Sequence, residues 1–437
     1  MPPPDIALPP QHPQRRVLND EAHARPSAPL SAPLDISYVA IMGDAEARAG
    51  SLAAVRDLAE RAGIAPPPEG VDAFALDFGT FWLRWERHTE FTRFAISVPA
   101  DPDGDPFARP AILALPEGWL SALPGQLLVA IHLALREGDG EGIGAVAATR
   151  VMGGAEPVGA MLLEGRGTAF TDFRIGPDGF TRMVLLNHAM TATQAGRTAQ
   201  RLLEIESYRM LALLAFPIAR SLTPFLTQHE MELAAIADGM APARSDDEAA
   251  LLGRLTRLAA AVEAEEAAHL NRFSASSAYY DLVRRRIAEL REVRIEGLAN
   301  FAEFVERRLA PAMATCTAVA ARHDALSRRV ARATQLLSTR VELTRESQVL
   351  AVLASMDRRA NMQLRLQQTV EGLSTAAITY YVVGLIGGLA NGLGTARWGV
   401  SPGLVTAFSI PVVALLVWLG LRRVRRRVEE TRPHAEV

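Results

Sequence analysis

From Leu373 to Leu393 the chain reads LSTAAITYYVVGLIGGLANGL, and from Gly403 to Leu421 it reads GLVTAFSIPVVALLVWLGL. Each run is close to the ~20 apolar residues that a helix needs to cross a hydrocarbon layer about 30 Å thick. A short break, Gly394 to Pro402, separates them, and Arg422, Arg423, Arg425, Arg426 and Arg427 close the second. The pair predicts a C-terminal two-helix transmembrane hairpin over 372–421, with spans at 373–393 and 403–421 and a basic tail at 422–437. Cytoplasmic flanks carry the positive excess. Arg358, Arg359 and Arg365 precede the first run, while the loop holds only Arg397. Both termini are therefore expected in the cytoplasm, at the inner (plasma) membrane, with the loop outside. Trp398 and Trp418 fall near the expected interfaces, where indole rings are favoured.

Upstream of this segment the pattern is helical. Thr315 to Glu371 contains neither proline nor glycine, and its 57 residues would extend about 85 Å as one helix. Leu326, Val330, Ala333, Leu337 and Val341 step by three or four, and Thr344 then breaks the stripe. A helix of that length needs partners, which predicts a stalk in a bundle or coiled coil. Helices are also expected from Ala189 to Ala215, ending before Pro217, then toward Asp238, and over Glu248 to Leu309, with a loop at Gly239–Asp247 and an interruption at Pro311. The helical region is expected to span 189–371.

Residues 18–188 read as an α+β cytosolic domain with a largely antiparallel sheet. Strand-like runs are Ile36–Met42, Phe74–Phe78, Phe81–Arg87, Phe91–Val98, Leu127–Leu133, Gly144–Val151, Val158–Leu163 and Phe180–Leu186, with a helix over Ala45–Ala62. Residues 1–17, with six prolines in the first thirteen, predict an extended or disordered tail and lack the apolar core of a secretory signal.

Composition excludes several chemistries. A net charge of −3 gives no global basic field, so nucleic acid is not an expected partner. Cys316 is the only cysteine, which rules out an intrachain disulfide and a thiolate-rich metal cluster. The chain has no lysine, so it has no phosphate-binding G-x-x-x-x-G-K-[ST] loop and no Schiff-base or protein-kinase lysine. It also lacks a G-x-S-x-G nucleophile elbow.

Five strings carry a resemblance: LNDEAHARP (18–26), RWERHTEFTRF (84–94), GFTRMVLLNHAM (179–190), RLLEIESYRMLALLAFPIAR (201–220) and TVEGLSTAAITYYVVGLIGG (369–388). Together they are similar to a bacterial family of predicted membrane-anchored proteins, domain of unknown function 3422. The resemblance covers nearly the whole chain after the tail and implies no catalytic residues. A looser, architectural resemblance is to the CorA-type divalent-cation channels, which are homopentamers whose first span lines the pore. Their outer mouth carries Gly-Met-Asn. This chain departs from it with Gly388-Leu389-Ala390-Asn391, one residue longer and without methionine.

Four constellations bear on function. Glu371, Thr375 and Thr379 form a polar stripe at the start of the first run. In a ring of subunits Glu371 would line the inner mouth of a pore and Asn391 the outer one. Asn391, however, falls roughly 120° from Thr379 around a straight helix, and a simple anchor whose threonines bond back to the helix fits the same residues. Gly384, Gly388 and Gly392 repeat every four residues, suited either to an oligomer contact or to packing of the two spans. Glu86, His88 and Glu90 alternate as a strand would, as do Glu21, His23 and Arg25; an imidazole and carboxylates can hold a divalent cation, and cross-strand pairing with Arg84, Arg87 or Arg93 is the other reading. Arg197, Arg201, Glu204 and Tyr208 share a helix face that can grip an anion, or in which Arg201 and Glu204 satisfy each other. GDGEGIGA (138–145) and DPDGDP (101–106) read as loops.

The expectation is a membrane-anchored, cytosolic-facing oligomeric scaffold or sensor with the lipid bilayer and a second copy as partners. A CorA-like ion channel or transporter is the alternative, and a membrane-tethered metal-dependent enzyme a third. No cofactor is identified beyond a possible divalent cation.

Overall fold

The structure, a computed structural model, describes residues 9–16, 18–19, 27–102, 104–138, 148–150, 152–154, 156–240, 245–393 and 401–430. The chain forms two compact units, Met1–Ala243 with Ala250–Thr334, and Arg244–Ala249 with Gln335–Val437. The boundary expected at residue 188 therefore runs inside the first unit.

The first unit is built on a nine-stranded sheet. Its strands are β1 (Leu34–Met42), β2 (Ala73–Asp77), β3 (Trp82–Arg87), β4 (Phe91–Pro99), β5 (Gln126–Glu137), β6 (Val158–Leu162), β7 (Gly167–Ile175), β8 (Thr181–Asn187) and β9 (Val293–Arg294), in the order β2-β3-β4-β1-β5-β8-β7-β6-β9. Neighbours pair antiparallel except β5 and β8, which run parallel with Leu133 opposite Met183. The strand expected over Gly144–Val151 is corrected: residues 148–150 are helical, and 144–147 and 151 lie outside the described residues. β7 and the short β9 were not expected.

Alternation assigns the two faces of β1 to different layers. Val39 and Ile41 join Leu83, Trp85, Phe94 and Ile96 in an apolar core closed by helix α1 (Ala45–Arg61), whose Val55 and Leu58 point into it. Asp44 caps α1 by accepting from the Ala47 N–H at 2.8 Å. Leu34, Ile36 and Tyr38 point to the opposite face, toward α2 (Ala192–Leu213). Thr191 and Gln194 start α2 with a reciprocal capping box.

Proline positions correct two helix boundaries. α2 ends at Leu213, before Pro217, and Pro217 lies in the first turn of α3 (Ala215–Met240). Pro311 likewise opens a helix. Early in a helix the missing N–H has no partner to lose. Between them run α4 (Ser245–Leu290) and α5 (Phe301–Arg308), so Glu248–Leu309 is two helices divided by β9. α6 then runs unbroken over 83 residues, Ala310–Gly392, and α7 covers Pro402–Glu430. Leu326 and Val330 are buried in the first unit and Leu337 in the second; beyond Thr344 the helix is exposed nearly all round as far as Val370. In the second unit Glu248 takes the Arg340 Nε–H at 2.6 Å and the Thr344 hydroxyl at 3.2 Å. Cys316 is buried.

Candidate functional site

The face of the sheet turned toward α2 carries small side chains where a packed core would have large ones. Ala75 on β2, and Ala95 and Ser97 on β4, look across at Gly196 and Ala199 on α2. The space between is a cavity of about 410 Å³. Leu30, Leu34, Ile36 and Leu203 wall it, and Trp82 stands at its rim, 40% exposed. A strap, Ala28–Ser31, crosses α2 beside the cavity. Its Leu30 N–H donates to Ala192 O at 2.9 Å. A Cβ at Gly196 would stand 1.9 Å from Ala28 O, so only glycine admits this crossing.

One end of the cavity is polar and charged. Arg84 and Glu86 are two apart on β3, so both face it, and Arg93 on β4 joins them. Arg84 donates through Nε to Glu86 Oε1 at 2.5 Å. Arg93 donates through Nε to Glu86 Oε2 at 2.8 Å, and its Nη2 also bonds that oxygen. The Arg93 Nη1 reaches Glu204 Oε1 on α2 at 3.3 Å, where Gln200 donates at 2.7 Å. Arg286 on α4 donates to Glu204 Oε2 at 2.5 Å and to Glu289 at 3.1 Å, and Arg201 donates to Glu289 at 2.8 Å. The result is an alternating ladder, Arg84–Glu86–Arg93–Glu204–Arg286–Glu289–Arg201, joining two strands and two helices.

Its centre is deeply buried: Glu86 is 1% exposed, Arg93 7% and Glu204 4%. Burial alone would push the Glu86 carboxyl up. The His88 ring and the Arg93 and Arg84 guanidiniums more than reverse this and hold it at about 2. Burial also opposes the Arg93 charge, but the Tyr38 phenol, Glu86 and Glu204 keep the guanidinium strongly protonated. Tyr38 completes the end wall, its hydroxyl hydrogen-bonded to Ser207 Oγ at 2.8 Å, while the Ser207 hydroxyl donates to Leu203 O.

The structure separates the carboxylates suggested as metal ligands. Glu86 is held by Arg84 and Arg93, with His88 Nε2 at 3.7 Å. Glu90, in the turn before β4, accepts from Arg272 at 2.5 Å and from the Tyr279 hydroxyl at 2.9 Å, both on α4. Among the described residues no group of three His, Cys, Asp or Glu is placed to hold a metal. Glu21, His23 and Arg25 lie outside the described residues. The expected Arg201–Glu204 pair is also corrected: Arg201 turns to Glu289, and Glu204 is taken by Arg93 and Arg286. Arg197 is exposed.

In the second unit, Thr375 and Thr379 donate their hydroxyls to Glu371 O and Thr375 O, each at 2.8 Å. Glu371, Thr375 and Thr379 are half-buried on the face that also carries buried Val383 and Ala390, whereas Asn391 is exposed. Gly384, Gly388 and Gly392 lie on the other side, with nothing within 4 Å of a Cβ built on any of them. Gly387 is the glycine that meets α7, its would-be Cβ 3.1 Å from Thr406 Oγ1.

The pairing of Glu86 with Arg84 and Arg93 was expected from alternation, but the ladder beyond it escaped sequence reading because its next links join residues 111 and 82 positions apart. One signal was available: Arg93 interrupts the apolar residues of β4, and a charge inside a central strand demands a partner.

A family model described as Protein of unknown function (DUF3422) matches residues 10–428. No curated protein and no solved structure matches the chain, and neither comparison shows the likeness to CorA-type channels.

Proposed function

The chain belongs to the DUF3422 family of proteins of unknown function, and from that premise we propose that it is a membrane-anchored sensor or scaffold whose sheet unit faces the cytoplasm. The carrying observation is how little of its last two helices is covered. Three helical stretches are long and apolar enough to cross a membrane by length and composition: Ala192–Met240, Ala310–Gly392 and Pro402–Arg423. In the first, 33% of the most apolar window is buried, and Leu211, Leu222 and Leu226 are core residues. In the other two the share is 6%, with Leu385, Leu389, Phe408 and Leu416 among the exposed side chains. Apolar surface of that extent belongs in lipid. We read 373–393 and 403–421 as a hairpin whose spans approach at Gly387 and Thr406.

The anchor reading accounts for the polar stripe as well. Its threonine hydroxyls are spent on their own helix, and the stripe shares the covered side of α6. Membrane pelleting that resists alkaline carbonate is the expected result. Full-length protein recovered in a detergent-free high-speed supernatant overturns the reading.

Self-association is part of the proposal. Val349, Val352, Met356, Leu366, Val370 and Leu373 are exposed on α6. With Arg359 and Gln363 between them they follow a three-four spacing, the seam of a coiled coil. That seam leads onto the side of Gly384 and Gly388, opposite the covered face. Copies anchored in one bilayer share a direction, so the pairing is parallel. Val352→Cys should cross-link between copies in native membranes, because the one natural thiol, Cys316, is buried. A strictly monomeric mass in mild detergent, with no cross-link, removes this part.

A further inference from the structure

We infer that the cavity between β1–β4 and α2 is a binding site for an aliphatic carboxylate of about a dozen carbons, its head group held on Arg84. This goes beyond the anchoring proposal and does not depend on it.

Three observations converge. The first is shape. Interiors are close-packed, yet here alanines, a serine and a glycine face one another across 410 Å³. At ~30 Å³ per water-sized group, that space holds on the order of fourteen non-hydrogen atoms. The walls are aliphatic, and Trp82 at the rim adds the one indole.

The second is charge. The ladder alternates strictly, and both of its ends are arginines. Arg201 lies at the protein surface end, paired with Glu289. Arg84 lines the cavity, and Glu86 is the only acceptor it meets among the described residues. Glu86 in turn is shared with Arg93. Arg84 therefore carries a charge that half a carboxylate answers. The next place in the alternation is cavity space, and an anion set there continues the pattern. Guanidinium pairs with carboxylate strongly where water is scarce.

The third is what the same walls exclude. A cation would meet Arg84 and Arg93. A nucleotide would bring several charges to one incompletely answered arginine and a sugar to aliphatic walls. A long uncharged hydrocarbon would leave Arg84 desolvated without gain. A single negative charge on an aliphatic tail satisfies both ends.

The test uses full-length protein in lipid nanodiscs and 12-bromododecanoate, which quenches nearby indoles. Quenching of Trp418 by probe dissolved in the bilayer gives a non-saturating background. Binding in the cavity should add a saturable phase that disappears in Trp82→Phe. Arg84→Gln should weaken saturable binding about tenfold or more, while leaving competition by dodecanol, the same chain without the charge, within about threefold. Ala199→Phe should abolish the phase by filling the cavity, with Ala95→Leu as a second blocking variant should the first not fold. A missing saturable phase in the wild-type protein overturns the proposal, and so does equal affinity in Arg84→Gln. A folded Ala199→Phe or Ala95→Leu protein that still binds also overturns it. Flotation of the same sample reports on anchoring separately, so the two proposals fail independently.

Discussion

At the scale of single residues, buried charge decides most of what can be forecast. Arg93 has no water to fall back on, and its removal strands two carboxylates, Glu86 and Glu204. Arg93→Met should therefore cost about 3–5 kcal/mol in thermal or urea unfolding. Glu90→Gln should cost less than about 1 kcal/mol, because the Arg272–Glu90 pair is partly solvated. His132 offers a pH test. It is 4% exposed, lies flat against Phe180 at 3.8 Å, and meets Ser37 Oγ through Nδ1 at 2.9 Å. Ser37 Oγ accepts the Ile112 N–H at 2.9 Å, so its own hydrogen is available for Nδ1 and the neutral ring fits. Burial lowers this imidazole to about 4, against 6.5 when free. The unfolded chain thus binds the proton first as pH falls. Stability is complete above 6.5 and declines by up to about 3 kcal/mol toward pH 4. Urea midpoints measured across that window should fall, and His132→Gln should flatten the slope. Ser37 is fully buried, so the Ser37–His132 pair is structural. Of these partnerships only the cross-strand pairing of Glu86 with Arg93 was legible from the chain. Ser37 and His132 stand 95 residues apart, and strand register alone makes them neighbours.

At the scale of elements, periodicity was a good guide wherever a strand or helix buries one side. β1, β3, β4 and β8 fall within a residue or two of the alternating runs, and α1 ends at Arg61 as its pattern suggests. β7 escaped because Gly167, Asp172 and Arg174 dilute its apolar residues; only the neighbours β6 and β8 make it a strand. Pro217 and Pro311 misled because a proline both ends and begins helices, and one sequence does not say which. The glycines of α6 were legible as a group but not by side. Gly387, outside the four-residue repeat, touches Thr406, while Gly388 faces open space. Gly387→Leu should lower the thermal midpoint of the protein in nanodiscs by pushing α6 and α7 apart. Gly388→Leu should leave that midpoint unchanged and reduce the Val352→Cys cross-link instead. Equal effects on the midpoint would contradict this assignment of sides.

At the scale of the whole molecule, the order of parts was readable: a mixed sheet, then long helices, then apolar C-terminal helices. Less readable was how far the sheet recruits helices from later in the chain. Arg272 and Tyr279 hold Glu90 in the turn before β4, and Arg286 and Glu289 hold Glu204 and Arg201 on α2, through side chains that look solvent-facing in sequence. Because the chain forms two compact units, calorimetry of the full-length protein should resolve two transitions. Arg93→Met should lower only the one belonging to the sheet, and Glu248→Gln, at the Arg340 contact, only the other. The lone thiol has a wider consequence. Burial pushes the Cys316 pKa upward, so it stays protonated and makes a poor nucleophile toward peroxide or disulfides. With no second cysteine to resolve a sulfenic acid, this thiol cannot close a disulfide switch within the chain.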